Sequence, residues 1–279
     1  KQWQLKQQRR CKECIAENRE VNLEEPNAPP SMPSADGEGA SDENLFTEPP
    51  PRDECPICML PLSLLPEETI HFSCCGKTLC EGCIYAVEPG KDGHSCPFCR
   101  APAPKSDGEL VERVKKRVER NDAESIYALG CCHDDGDMGL PQNMNKANKL
   151  WLRAGELGHA SAYFNLANSY FTGTCVERDE EKAKYYYELA AMGGDVDARY
   201  TLGLFEQRKG NMNRAVKHFM ISAGAGFDVS LEAIRECFIS GDATKKEFEK
   251  ALRSHKEAKD EMKSNQRDAA AAASAQSND

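Results

Sequence analysis

The feature that most constrains this chain is a repeat in its second half. Lys146-Ala147 recurs as Lys182-Ala183 and again as Arg214-Ala215, and a large aromatic follows each at the same offset: Trp151, Tyr187 and Phe219. Leu129-Gly130, Leu166-Ala167 and Leu202-Gly203 open the units, while Gly158, Gly194 and Gly226 close them. The steps are about 36 residues and then about 32, because the third unit has a shorter inner loop. A fixed period of this size implies stacked helical hairpins, since one hairpin alone cannot bury its apolar face. Small residues at the opening positions let helices approach closely, and the aromatic fills the space between layers. Asn143, Asp179 and Asn211 precede each second helix as expected N-caps. A weaker fourth unit starts at Val229, with Thr244 as the cap of a last helix that is polar on one face. The expectation is an all-α solenoid of helical hairpin repeats over residues 121–262.

The rest of the chain divides by composition. Residues 1–20 read as a short basic helix containing a Cys-x-x-Cys. Residues 21–52 are rich in Pro, Gly, Ser and acidic side chains and read as a disordered acidic linker. Residues 53–101 are dense in cysteine. Residues 107–120 place Leu110, Val111, Val114 and Val118 on one stripe of a connecting helix. Residues 263–279 are low-complexity and are expected to form a disordered tail. The mean hydropathy of -0.67 agrees with a chain that is only partly folded into cores. Net charge is -10, and eleven acidic but only two basic residues lie between Glu17 and Glu54. That bias argues against nucleic-acid binding. No run of about eighteen apolar residues exists, so no membrane contact is expected.

Eight of the fourteen cysteines fall between residues 55 and 99. No secretion signal is legible, so a disulfide framework is a poor reading. Thiols kept reduced in the cytoplasm or nucleus and holding a metal fit better. Three Cys-x-x-Cys pairs stand out: Cys55/Cys58, Cys80/Cys83 and Cys96/Cys99. A tight turn puts the two sulfurs of such a pair on one side, at a separation suited to tetrahedral zinc. Six thiolates cannot close two four-coordinate sites, so two further ligands must come from the stretch "HFSCC". Cys74 with Cys75 is the favoured pair, with Gly76 allowing the tight backbone that adjacent ligands need. His71 with Cys75 is the alternative. His94 reads as a loop residue. Cys11 and Cys14 are either half of a zinc site completed before Lys1 or a plain pair of thiols.

Two resemblances follow from these residues. The block "CPICMLPLSLLPEETIHFSCCGKTLCEGCIYAVEPGKDGHSCPFCR" resembles a RING-type zinc finger. That resemblance implies a cross-brace holding two Zn²⁺: Cys55, Cys58, Cys80 and Cys83 on the first, and Cys96 and Cys99 with the two ligands from "HFSCC" on the second. It also implies a ubiquitin ligase that carries no catalytic nucleophile and positions a ubiquitin-charged conjugating enzyme for attack by a substrate lysine. Ile57 and Pro97 match the family's contacts to the conjugating enzyme. Arg100 matches the arginine that bridges ubiquitin and its carrier, a role suited to a planar guanidinium. The stretch "ASAYFNLANSYFTGTCVERDEEKAKYYYELAAMGGD" resembles the Sel-1-like repeats, relatives of tetratricopeptide repeats, with His133 standing where the family usually has Tyr. This second resemblance implies a scaffold that binds a protein substrate or adaptor. A non-enzymatic zinc-binding scaffold stays open beside the ligase.

Overall fold

The computed structural model describes residues 42–64, 68–87 and 95–276. The expected helix at 1–20 with Cys11 and Cys14, most of the expected linker, and His94 lie outside the described residues. The described elements run α1 (Asp42–Leu45), β1 (Thr69–Phe72), β2 (Lys77–Cys80), α2 (Glu81–Ala86), α3 (Asp107–Val118), α4 (Ala123–Asp135), α5 (Met144–Glu156), α6 (Ala160–Thr172) and α7 (Glu180–Met192). They continue with α8 (Val196–Arg208), α9 (Met212–Gly224), α10 (Asp228–Ser240), α11 (Lys245–Glu261) and α12 (Asn265–Gln276). Among the described residues no helix is long and apolar enough to cross a membrane.

Helices α4 to α11 form four hairpins, and each helix packs on the next. Five of these eight helices start at a side-chain cap. Asn143 Oδ1 accepts from the Lys146 amide at 2.9 Å, and Asp179 Oδ1 accepts from the Lys182 amide at 2.9 Å. Asp122 and Asp195 cap the first helices of their hairpins in the same way. Thr244 and Glu247 form a reciprocal capping box on α11. Asn211 departs from expectation. Its backbone is not extended, its side chain makes no cap bond, and its amide instead donates to Glu206 Oε2 at 2.8 Å. The shorter inner loop of the third hairpin ties Asn211 back to Glu206, whose carbonyl also accepts from the Asn211 amide N–H.

The repeated aromatics carry the packing. Trp151, Tyr187 and Phe219 are all 3% exposed or less. The small residues facing them are necessary. A Cβ at Gly130 would lie 2.7 Å from the Trp151 ring, and one at Gly203 would lie 2.4 Å from the Phe219 ring. His133 is buried, with Nδ1 3.2 Å from the Pro141 carbonyl.

The cysteine block is a separate small layer. β1 and β2 pair antiparallel, with His71 opposite Thr78. Cys55, Leu79, Cys80 and Cys83 form its buried centre, with Leu62, Phe72 and Ile84 packed around them.

Two expectations are corrected. The tail expected to be disordered from 263 is helical in α12, which packs on α2. Arg267 anchors it, donating from Nη1 to the Pro61 carbonyl at 2.9 Å. Alanine has the highest helix propensity, so an alanine-rich stretch with such an anchor does not fray. The second correction is at residues 42–52 of the expected linker, which are ordered against the solenoid. Leu45 is only 1% exposed there.

Candidate metal centres

Two segments of the block share one backbone design. In "CPICMLP" the Cys55 amide donates to the Leu60 carbonyl at 2.9 Å and the Met59 amide to the Cys55 carbonyl at 2.8 Å. In "CPFCRAP" the Cys96 amide donates to the Ala101 carbonyl and the Arg100 amide to the Cys96 carbonyl, both at 2.8 Å. Each knuckle is closed by an isolated bridge, Glu54 with Pro61 and Ser95 with Pro102. In each, the residue after the second cysteine is left-handed, with φ 58° at Met59 and 60° at Arg100. Such a turn folds both sulfurs of the pair to one side.

The adjacent cysteines sit in the turn between β1 and β2. The Cys75 and Gly76 amides both donate to the Phe72 carbonyl, at 3.2 and 2.8 Å, and Gly76 has φ 67°. A side chain at Gly76 would be strained and would also sit 2.6 Å from Asp122 Oδ2. This tight turn brings Cys74 and Cys75 into one thiol group although they are neighbours.

The result is two groups of four thiols, Cys55, Cys58, Cys80 and Cys83 in one and Cys74, Cys75, Cys96 and Cys99 in the other. Within each group all sulfurs lie within 4.8 Å of one another. The Cys58–Cys80 and Cys75–Cys96 separations are both 3.8 Å, and Cys74–Cys99 is 3.4 Å. All eight are free thiols. A tetrahedron with Zn–S bonds of about 2.3 Å has S···S edges of about 3.8 Å. Four crowded sulfurs cannot all ionise by themselves. Burial, then hydrogen bonds with Cys99 and Cys96, push the Cys74 thiol up to about 12. Burial also raises Cys55, but the backbone N–H groups of Cys58, Cys80 and Ile57 outweigh it and bring that thiol down to about 6. A divalent cation supplies the charge that lets all four ionise, so the donor set fits zinc in both groups.

His71 stands apart from both groups. Its Nδ1 lies 3.2 Å from Thr78 Oγ1, and its Nε2 lies 3.3 Å from Ser125 Oγ and 3.6 Å from Asp122 Oδ1. It joins the block to α4. Burial lowers its pKa, with Glu124 and Asp122 acting in the opposite direction. Arg117 reinforces this junction by donating to the Ser73 carbonyl at 3.2 Å.

Ile57 is 43% exposed and Pro97 is half-buried. Arg100 is exposed. Sequence reasoning missed Arg267, whose Nη2 lies 3.7 Å from Cys58 Sγ. A single arginine beside an alanine run carries no signal of that contact.

The Sel1 repeat family model matches residues 123–159 and 160–195, the hairpins α4–α5 and α6–α7. The chain carries Sel1 repeats. The hairpins α8–α9 and α10–α11 extend the same stack beyond the matched residues. Similar curated proteins include chitin synthase regulatory factor 3 of Schizosaccharomyces pombe, 28% identical over 99 residues, which are 34% of this chain and 11% of that protein. Chitin synthase regulatory factor 2 of the same organism is 31% identical over 91 residues, 32% of this chain and 18% of that protein. The matches thus span less than a fifth of either relative's length. A Sel1 repeat protein from Oxalobacter formigenes aligns over 55% of this chain and 64% of its own, at 22% identity and a TM-score of 0.48. A protective antigen of uropathogenic Escherichia coli strains with an SLR fold aligns over 55% of this chain and 33% of its own, at 24% identity and a TM-score of 0.46. A Sel1 array is a scaffold for protein–protein interaction.

Proposed function

We propose that the chain is a RING-type ubiquitin ligase. Its cysteine block holds two Zn²⁺ and docks a ubiquitin-charged conjugating enzyme, and its Sel1 repeats recruit the protein substrate or adaptor. The observation that carries this reading is the interleaving of the thiol pairs. The first and third pairs converge in one group, and the second and fourth in the other. Zinc bound there is structural: four thiolates per metal leave no coordination position for water, so the metal sets the shape of the block and takes no part in transfer. The chain's own contribution is positioning. Ile57 offers an exposed apolar contact to the conjugating enzyme, and Pro97 on the other knuckle a second. Arg100, exposed directly after Cys99, offers its guanidinium to ubiquitin and its carrier. The test is ubiquitin transfer in vitro against a panel of conjugating enzymes, with zinc content measured on the same preparation. Ubiquitin chains formed by the wild type and lost in Cys96→Ser support the ligase. A two-zinc protein inert with every conjugating enzyme refutes it. A second reading, a non-enzymatic zinc-binding scaffold, is favoured by the description of two relatives as regulatory factors.

A further inference from the structure

A segment of this chain sits against its own repeat array in the manner of a bound peptide. α1 packs on α7, and Leu45 is buried in the same apolar cluster as Tyr187, Ala191 and Leu202. The Leu45 carbonyl accepts a hydrogen bond from Arg199 Nη1. Arg199 is 2% exposed, and its Nη2 donates to the Ala191 carbonyl at 2.7 Å. Among the described residues it makes no ion pair. The next residue, Phe46, packs its ring on His218 of α9, centroids 4.7 Å apart. The Arg214 guanidinium and the Lys217 ammonium each lie 5.2 Å from the Phe46 ring centroid.

Stacking hairpins does not require these features. A buried guanidinium is costly unless its donors find acceptors. Here one of its two acceptors comes from outside the array, from the backbone of the seated segment. Two cations facing one aromatic ring form a site that selects an aromatic side chain. The groove therefore reads a leucine by shape, a main-chain carbonyl by Arg199, and an aromatic ring by Arg214 and Lys217. The segment cannot be ordered by its own helicity, because a helix of four residues has no stability in isolation. Its order comes from the groove. The Arg214 guanidinium that faces the Phe46 ring is also paired with Glu206, Nε to Oε1 3.2 Å.

We propose that the groove between α7 and α9 is a docking site for a protein partner bearing a short turn with a Leu-Phe pair, and that Asp42–Thr47 occupies it as a self-ligand which the partner displaces. The segment is tethered through Glu48–Arg52 to the Cys55 knuckle, so its effective concentration is on the order of millimolar. A partner must outcompete that tether. Displacement frees the link between the array and the cysteine block, where Arg52 Nη1 now donates to Met262 Sδ at 2.9 Å. The inference uses the protein-binding role of the Sel1 array and is independent of ubiquitin transfer.

The probe is a fluorescent peptide of the sequence Asp42–Pro51, titrated by anisotropy with no ubiquitin enzymes present. The receptor is the full chain, wild type or carrying Leu45→Glu and Phe46→Glu to release the segment. The peptide should bind the released chain at least tenfold more tightly than the wild type. Adding Lys217→Glu, an exposed substitution, should weaken that binding at least fivefold. A peptide carrying the same two glutamates should not bind. Equal binding to both chains would overturn the proposal, as would no binding to a released chain whose helical circular dichroism matches the wild type. A wild-type dimer that becomes monomeric on release would overturn it too, because it would assign the groove to a second copy.

Discussion

Cys74→Ser and His71→Ala separate the two ligand sets, and the structure predicts how far apart they fall. Cys74 Sγ lies 3.4 Å from Cys99 Sγ, inside the second thiol group, whereas both ring nitrogens of His71 face Thr78 and Ser125. A structural zinc contributes on the order of 10 kcal/mol at pH 7, so each of four ligands carries roughly 2–3 kcal/mol. Losing one thiolate should weaken that site by roughly 30- to 150-fold. Against a chelator that leaves both metals in the wild type, Cys74→Ser should retain one zinc. His71→Ala removes two neutral hydrogen bonds of about 1 kcal/mol each. It should therefore cost about 2 kcal/mol of stability at the junction with α4 and keep both metals. Native mass spectrometry counts the zinc, and a thermal melt reads the junction. One zinc in His71→Ala with two in Cys74→Ser would refute the reasoning. Fewer than two in the wild type would remove the cross-brace altogether.

Further outcomes follow from named residues. Gly203→Ala gains about 1 kcal/mol of helix propensity but forces a methyl to 2.4 Å from the buried Phe219 ring, which costs about 1–3 kcal/mol, so it should lower the melting temperature. Gly224→Ala, whose Cβ would meet only Ser254 at 3.7 Å, should raise it; a reversed order in the two melts would contradict the close-approach account. Arg100→Ala should leave two zincs and slow ubiquitin discharge roughly ten- to a hundredfold, through loss of about 1.5–3 kcal/mol of charge-assisted bonding. Ile57→Ala should weaken binding of the conjugating enzyme itself, and discharge assays beside binding titrations would expose any failure of that split. Burial lowers the His133 pKa, so the unfolded chain takes up a proton that the folded chain does not. Stability should fall as pH drops below the unfolded value of about 6.5, and His133→Tyr should reduce that slope in denaturant titrations from pH 7.5 to 5.

The repeat was legible because it is written locally. Lys182-Ala183 and Tyr187 share a helix, their spacing is a helical property, and a period shows itself by recurrence. The caps at Asn143, Asp179 and Thr244 were legible for the same reason, since a cap acts within three residues. Asn211 failed because its loop, not its residue type, decides where the side chain points. In the cysteine block, spacing alone was enough to pair sulfurs within each Cys-x-x-Cys. It favoured Cys74 and kept His71 as the alternative, because both lie close to the hairpin tip.

The sequence by itself determined the hairpin stack, its period, and the eight thiols in a pattern suited to two metals. Only the tertiary structure decided which way His71 faces, because Thr78 and Ser125 reach it across a strand pair and from a helix more than fifty residues away. It also decided that α12 folds on α2, and that Leu45 and Phe46 lie in a groove lined by Arg199 and Arg214. Polar, proline-rich and alanine-rich segments carry no apolar period of their own. Their order comes from surfaces presented by distant parts of the chain, and such contacts leave no local mark in the sequence.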